Sequence, residues 1–210
     1  MHHLHPSLAS ADPLALGSTL AQLNAIPVGT LHIDIEDTSF ISNITFGMKT
    51  INAVARHTPH SLSFHLMLAN PRPWLEWIAP FKPAWIFFHA EALANPADDL
   101  AAIRRTGAKA GLAFNPATAI ISFAYLREHL DGVLIMTSEP DGEGQRFIPA
   151  MTDKVSQAAR LFPQAAIWAD GGVDLAVASS LRRYGAHDLV LGRAIFCHSD
   201  IVPALQKFAI

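Results

Sequence analysis

A single (β/α)8 barrel is the fold this sequence predicts, and three observations carry the prediction. Eight short runs rich in apolar and β-branched residues recur near 4–9, 30–35, 61–68, 84–90, 108–114, 131–137, 165–169 and 188–192. Each is followed by a stretch in which apolar residues recur at helical spacing. The 210 residues, 50% hydrophobic and 16% charged, show no shift of composition and no linker, which suits one domain whose strands are covered on both faces. An open doubly wound sheet of about five or six strands is the competing architecture, and eight alternations favour closure.

Taken in order, the helical stretches are 13–23, 48–57, 74–78, 96–105, 120–129, 151–162, 173–184 and 201–208. Proline and glycine fall mostly at the joins, as at Pro71, Pro73, Pro116, Pro140, Gly171 and Gly172. In a barrel the strands run into the loops that carry chemistry, so polar residues out of place in apolar strands should gather at the strand ends. They do: His32 and Asp34, His65, His89, Asn115 and Asp170 all sit there.

Composition excludes several classes. A net charge of −3 with Lys and Arg scattered singly offers no footprint for nucleic acid. No apolar run approaches the ~18 residues of a membrane span. The single cysteine, Cys197, has no internal partner, and the first residues lack the basic and apolar stretches of a secretory leader. A cytoplasmic protein is expected. His2, His3 and His5 read as a surface cluster at the N-terminus.

Residues 32, 34 and 36 alternate to one face of the second strand, so an imidazole and two carboxylates point one way while Leu31, Ile33 and Ile35 point the other. Buried charge needs compensation. A divalent cation shared with His65 and Asp170 would supply it, and two His with two Asp suit Zn, Fe, Mn or Co alike. The alternative is a hydrogen-bonded polar layer with no ion. Asp170 opens Asp170-Gly171-Gly172-Val173, where consecutive glycines allow close approach of an anion; the alternative is an ordinary turn in which the Asp caps a helix.

These residues are the ones through which the chain resembles the ribulose-phosphate 3-epimerase family. The likeness runs from Pro6 to about Phe196 and comprises Pro6-Ser-Leu-Ala-Ser-Ala-Asp12, His32-Ile-Asp34, Asn43-Ile-Thr-Phe-Gly47, His65-Leu-Met67, Asn115-Pro-Ala-Thr118, Leu134-Ile-Met-Thr137, Gln145-Arg-Phe-Ile-Pro149, Asp170-Gly-Gly-Val173 and Gly192 through Ile195-Phe196. The resemblance implies a metal held by His32, Asp34, His65 and Asp170. It implies that Asp34 and Asp170 exchange protons with opposite faces of a ketose phosphate, inverting C3 through an enediolate. It also implies that Ser7 and His65 contact the substrate, that Met67 and Met136 wall the reacting carbons, that Gly142, Gly144, Gly171, Gly172 and Gly192 receive its phosphate, and that the protein is a homo-oligomer.

The sequence departs from that family near the metal and the phosphate. Glu36 stands where the family usually carries methionine, Thr38-Ser39 where it carries Gly-His, Asp141-Gly-Glu-Gly144 where it carries Gly-Phe-Gly-Gly, and Arg193 where it carries serine. Glu36 either binds a substrate hydroxyl or alters the charge at the metal; the alternative is that it turns to solvent at the rim. Two acids near a phosphate repel it, whereas Arg193 offers a charge-assisted contact; the alternative is that Arg193 pairs with Asp141 or Glu143 as a structural bridge. Rival functions are an isomerase on a related sugar phosphate and a non-catalytic sugar-phosphate-binding regulator. Decarboxylases on related barrels use Asp-x-Lys in the second strand, and this chain has Asp34-Ile-Glu36.

Overall fold

The computed structural model describes residues 3–140 and 146–209. Eight parallel strands, β1 (Leu4–Pro6), β2 (Leu31–Glu36), β3 (Leu62–Met67), β4 (Trp85–His89), β5 (Lys109–Phe114), β6 (Gly132–Met136), β7 (Ala166–Asp170) and β8 (Asp188–Leu191), form one sheet in the order β1-β8-β7-β6-β5-β4-β3-β2. The cylinder closes between β1 and β2 through a parallel bridge of Ser7 with His32, below which the Gly29 N–H donates to the Leu4 carbonyl at 2.9 Å. This is a single-domain (β/α)8, or TIM, barrel.

Helices α1 (Leu16–Asn24), α2 (Met48–His57), α3 (Trp74–Ile78), α4 (Pro96–Arg105), α5 (Met151–Leu161), α6 (Leu175–Arg183), α7 (Arg193–Phe196) and α8 (Ile201–Gln206) cover the outside. One expectation fails in kind: residues Ile120–His129 form a 3-10 helix. Its apolar residues do not make one stripe, since Ile120 and Leu126 are buried while Ile121 and Tyr125 are exposed, so packing does not select the α-helical period.

Strand parity builds two cores. Outward-facing Leu31, Ile33, Ile35, Leu62, Phe64, Ile86 and their counterparts pack under the helices. Inside the barrel Trp85, Phe87, Ala113, Leu134, Met136, Trp168 and Val190 form a smaller cluster. Space for the rings comes from β5 and β6: a Cβ at Gly111 would run into the Phe87 ring, and one at Gly132 would meet the Trp85 ring. The aromatic plug fills the barrel below the strand ends, and the polar residues of β2, β3 and β7 stand above it.

Candidate active site

A cavity of about 560 Å³ opens at the C-terminal ends of the strands, lined among others by Ser7, Asp34, Glu36, Met67, Met136, Asp170, Gly171, Gly172, Gly192 and Arg193. At its base His32, Asp34, His65 and Asp170 each present one N or O atom, all within 4.8 Å of one another. His65 Nδ1 lies 3.1 Å from Asp34 Oδ1 and 3.4 Å from Asp170 Oδ2. His32 Nε2 lies 3.4 and 3.8 Å from the same two oxygens. The parity expected of β2 therefore holds, and β3 and β7 bring the other two side chains to the same point.

The donor set fits a divalent metal. Both imidazoles are fully buried, and His32 Nε2, which faces the carboxylates, has no hydrogen-bond partner. Burial alone would push the His65 imidazole down, but Asp170 and Asp34 raise it to about 9. Burial likewise opposes the Asp34 charge, yet His32 and His65 hold its carboxyl well below the usual range. Two carboxylates in a dry site thus call for positive charge at one point, and nitrogen and oxygen ligands in this mixture suit a borderline cation.

Asp34 is held from several sides. Ser7 Oγ donates to Asp34 Oδ2 at 2.5 Å, so the residue that closes the barrel also orients the carboxylate. Thr45 Oγ1 donates to the Asp34 carbonyl at 2.5 Å and accepts from the Glu36 N–H at 3.1 Å. Glu36 points into the cavity and not to solvent, being 7% exposed, and its Oε2 meets no donor. Burial, and next the Asp34 charge, push its carboxyl up to about 7.

Asp170 does not cap the following helix. Asp174 does so, accepting from the Val177 N–H at 2.8 Å, which leaves the Asp170 carboxylate to the cavity. Gly171 and Gly172 adopt φ of +108° and +67°, the left-handed region that glycine tolerates. A Cβ at Gly171 would strike Ser138, and one at Gly172 would strike the Phe147 backbone. Gly142 and Gly144, with Asp141 and Glu143, lie outside the described residues, as does His2.

His89 and Asn115 were legible as polar strand-end residues, but the way His89 and Glu91 extend the site was not. His65 Nε2 lies 2.8 Å from His89 Nε2, and His89 Nδ1 lies 3.2 Å from Glu91 Oε2. Glu91 is anchored in turn by the Asn115 N–H at 2.8 Å and by the Thr118 hydroxyl. Phe40 covers His89 with ring centroids 4.6 Å apart. The signal was present as a His-x-Glu pair at a strand end. His5 overturns the expectation of a surface N-terminus: it is 2% exposed, inside the barrel, and stacked on Trp168 at 3.8 Å. As the second residue of a strand whose neighbours are also buried, it points inward by parity.

A barrel with two imidazoles and two carboxylates converging at its strand ends belongs to the class of barrels whose site is able to hold a divalent metal. The Ribulose-phosphate 3 epimerase family profile matches residues 3–196. The chain is 32% identical over 207 residues to ribulose-phosphate 3-epimerase of Bacillus subtilis, covering 96% of this chain and 95% of that one. It is 30% identical over 209 residues to the cytoplasmic isoform from Oryza sativa subsp. japonica, covering 96% and 92%. A mutant tryptophan synthase alpha-subunit from Pyrococcus furiosus superposes with a TM-score of 0.70 at 15% identity, covering 99% of this chain and 96% of that one, and shares the fold alone. This chain is a member of the ribulose-phosphate 3-epimerase family.

Proposed function

We propose that this protein is a metal-dependent carbohydrate epimerase, inverting C3 of a ketose phosphate of the ribulose 5-phosphate kind. The observation that carries the reading is the placement of Asp34 and Asp170 on β2 and β7, different walls of one cavity, with their carboxylates converging on His32 and His65. Removal of a proton from a carbon next to a ketone requires a base on one face, and inversion requires an acid on the other. Asp34 and Asp170 supply the pair. His32, Asp34, His65 and Asp170 would hold the metal, Zn, Fe, Mn or Co, which when bound offers positive charge to the enediolate oxygens.

The remaining lining residues receive the substrate. Ser7 keeps Asp34 aimed and meets a substrate oxygen, while Met67 and Met136 lie against the reacting carbons as polarizable walls. Gly171, Gly172, Gly192 and Arg193 line the β7 and β8 side, where close backbone approach and one guanidinium suit a phosphate; Gly142 and Gly144, outside the described residues, remain candidates for the same phosphate by family resemblance alone. Glu36, on the opposite β2 side, accepts a hydrogen bond from a substrate hydroxyl. We assign the protein to the cytoplasm with no nucleic-acid partner, which its lone cysteine, its mild net charge and the named cytoplasmic relative support, and we infer a homo-oligomer from membership of the family alone. No helix among the described residues is long and apolar enough to cross a membrane.

The test is proton exchange. Metal-loaded protein in D2O, offered phosphorylated and unphosphorylated pentuloses and hexuloses, should place deuterium at C3 of a ketose phosphate. Asp34→Asn and Asp170→Asn should each lower turnover by about 10²–10⁴-fold. Sugar phosphate binding without deuterium uptake in any of them would replace the epimerase with a non-catalytic regulator.

A further inference from the structure

A line of hydrogen bonds descends inside the barrel from the back of His32. Its Nδ1 lies 2.9 Å from Ser63 Oγ, which lies 2.6 Å from Thr30 Oγ1, which lies 2.8 Å from His5 Nδ1; His5 Nε2 then meets Asp188 Oδ1 at 3.0 Å. All five residues are buried, Asp188 least so at 9%. Asp188 opens β8 at the floor of the barrel, far from the cavity, and the reaction proposed above does not use it.

Each group in this line can give one proton or take one, so the state of its last member sets the direction of all the others. An ionised Asp188 only accepts, so His5 Nε2 carries a proton and donates it. A neutral His5 then accepts at Nδ1 from the Thr30 hydroxyl. Having given its proton downward, Thr30 accepts from Ser63, and Ser63 accepts from His32 Nδ1–H. The last consequence falls on the site: with its proton on Nδ1, His32 has a lone pair on Nε2, the buried atom without a hydrogen-bond partner that faces Asp34 and Asp170. Reversal of the line would put a proton on Nε2 and block it.

We propose that Asp188 is a positioning residue which, through His5, Thr30 and Ser63, fixes the tautomer of His32 and so prepares it to bind a divalent metal. The charge states agree with that direction. Burial opposes ionisation of Asp188, yet His5 and His3 hold its carboxyl below the ordinary range. Burial pushes His5 down to about 4 despite Asp188, so it is neutral near pH 7. His3 also reaches Asp188 Oδ1 at 3.0 Å, reinforcing the end of the line as an acceptor. Outer partners of metal-bound imidazoles fix ring tautomer in this way, and their loss costs about 10–100-fold in affinity. Here the fixing carboxylate is removed from its imidazole by three intervening side chains.

The inference rests on the metal site proposed above, and two measurements separate the fates of both. Long-range ¹⁵N–¹H NMR of the metal-free full chain should find the His32 proton on Nδ1. Zn(II) affinity, read by competition with a chromophoric chelator, should fall about 10–100-fold in Asp188→Leu and in Thr30→Val, with His32 shifting toward the Nε2–H form. Thr30→Ser, which keeps the hydroxyl, should restore both readouts. If Asp188→Leu fails to fold, Thr30→Val carries the test, because it is isosteric. A proton on Nε2 in the unaltered chain, or parent-like affinity in the folded variants, would overturn the relay alone. A parent chain that binds no Zn(II) would overturn the metal site and the relay together.

Discussion

Glu36 stands two residues beyond Asp34 on the same inner wall, with one oxygen that no group of the protein satisfies. Such a carboxylate destabilises the empty fold by about 1–3 kcal/mol and returns that energy only when a ligand meets it. Glu36→Met should therefore raise stability in urea by about that amount while lowering kcat/KM about 10–100-fold, the cost of a charged hydrogen bond. Unchanged kinetics would remove Glu36 from substrate contact. At Gly172 the expectation is purely steric: φ of +67° and contact with the Phe147 backbone should make Gly172→Ala lose more than about 1 kcal/mol of stability, readable as a lower Tm. Glu36 and Gly172 were visible in the sequence as a misplaced acid and a glycine pair. The partnership of His5 with Asp188 was not, because they lie 183 positions apart and only barrel closure makes them neighbours.

Among the elements, β2 was the most readable, since its alternation of Leu31, Ile33 and Ile35 with His32, Asp34 and Glu36 states both faces at once. Strands β4, β5 and β6 hid their inner faces, because Phe87 and Leu134 are as apolar inward as Phe88 and Val133 are outward. The glycines were the missing signal: Gly111 and Gly132 are small where the Phe87 and Trp85 rings cross the axis. Gly111→Ala should accordingly overpack the plug and lower stability by about 1–3 kcal/mol, checked by denaturant unfolding; a neutral result would mean that Phe87 has an alternative rotamer with room to occupy. Residues 120–129 misled in the other direction, because helical spacing over a short window does not specify which helix forms when the stripe is incomplete.

Across the whole molecule, stability depends on keeping the interior imidazoles of His5 and His89 uncharged. Burial lowers both His5 and His89 to about 4, below the ~6.5 of an unfolded histidine. The unfolded chain thus binds more protons between these values, so their contribution is fully present above pH ~6.5 and is lost as pH falls to about 4, at up to about 3 kcal/mol for each. Urea midpoints taken between pH 7 and 5 should fall steeply for the parent and less so for His5→Gln; identical slopes would show that His5 does not carry this linkage. At neutral pH, saturating Zn(II) at a hundredfold excess over its Kd should add about 2.7 kcal/mol, seen as a higher Tm that EDTA reverses.

The joint between the first and eighth strands has a bearing on how the barrel is assembled. Leu4, His5 and Pro6 pair with Leu189, Val190 and Leu191, so β1, made before the other strands, waits for β8 before its ladder can form. Until then Ser7 has no place from which to reach Asp34. Nascent chains lacking β8 should therefore be seven-staved and inert however well the rest has folded, and the onset of turnover during synthesis would mark the moment at which β1 and β8 meet.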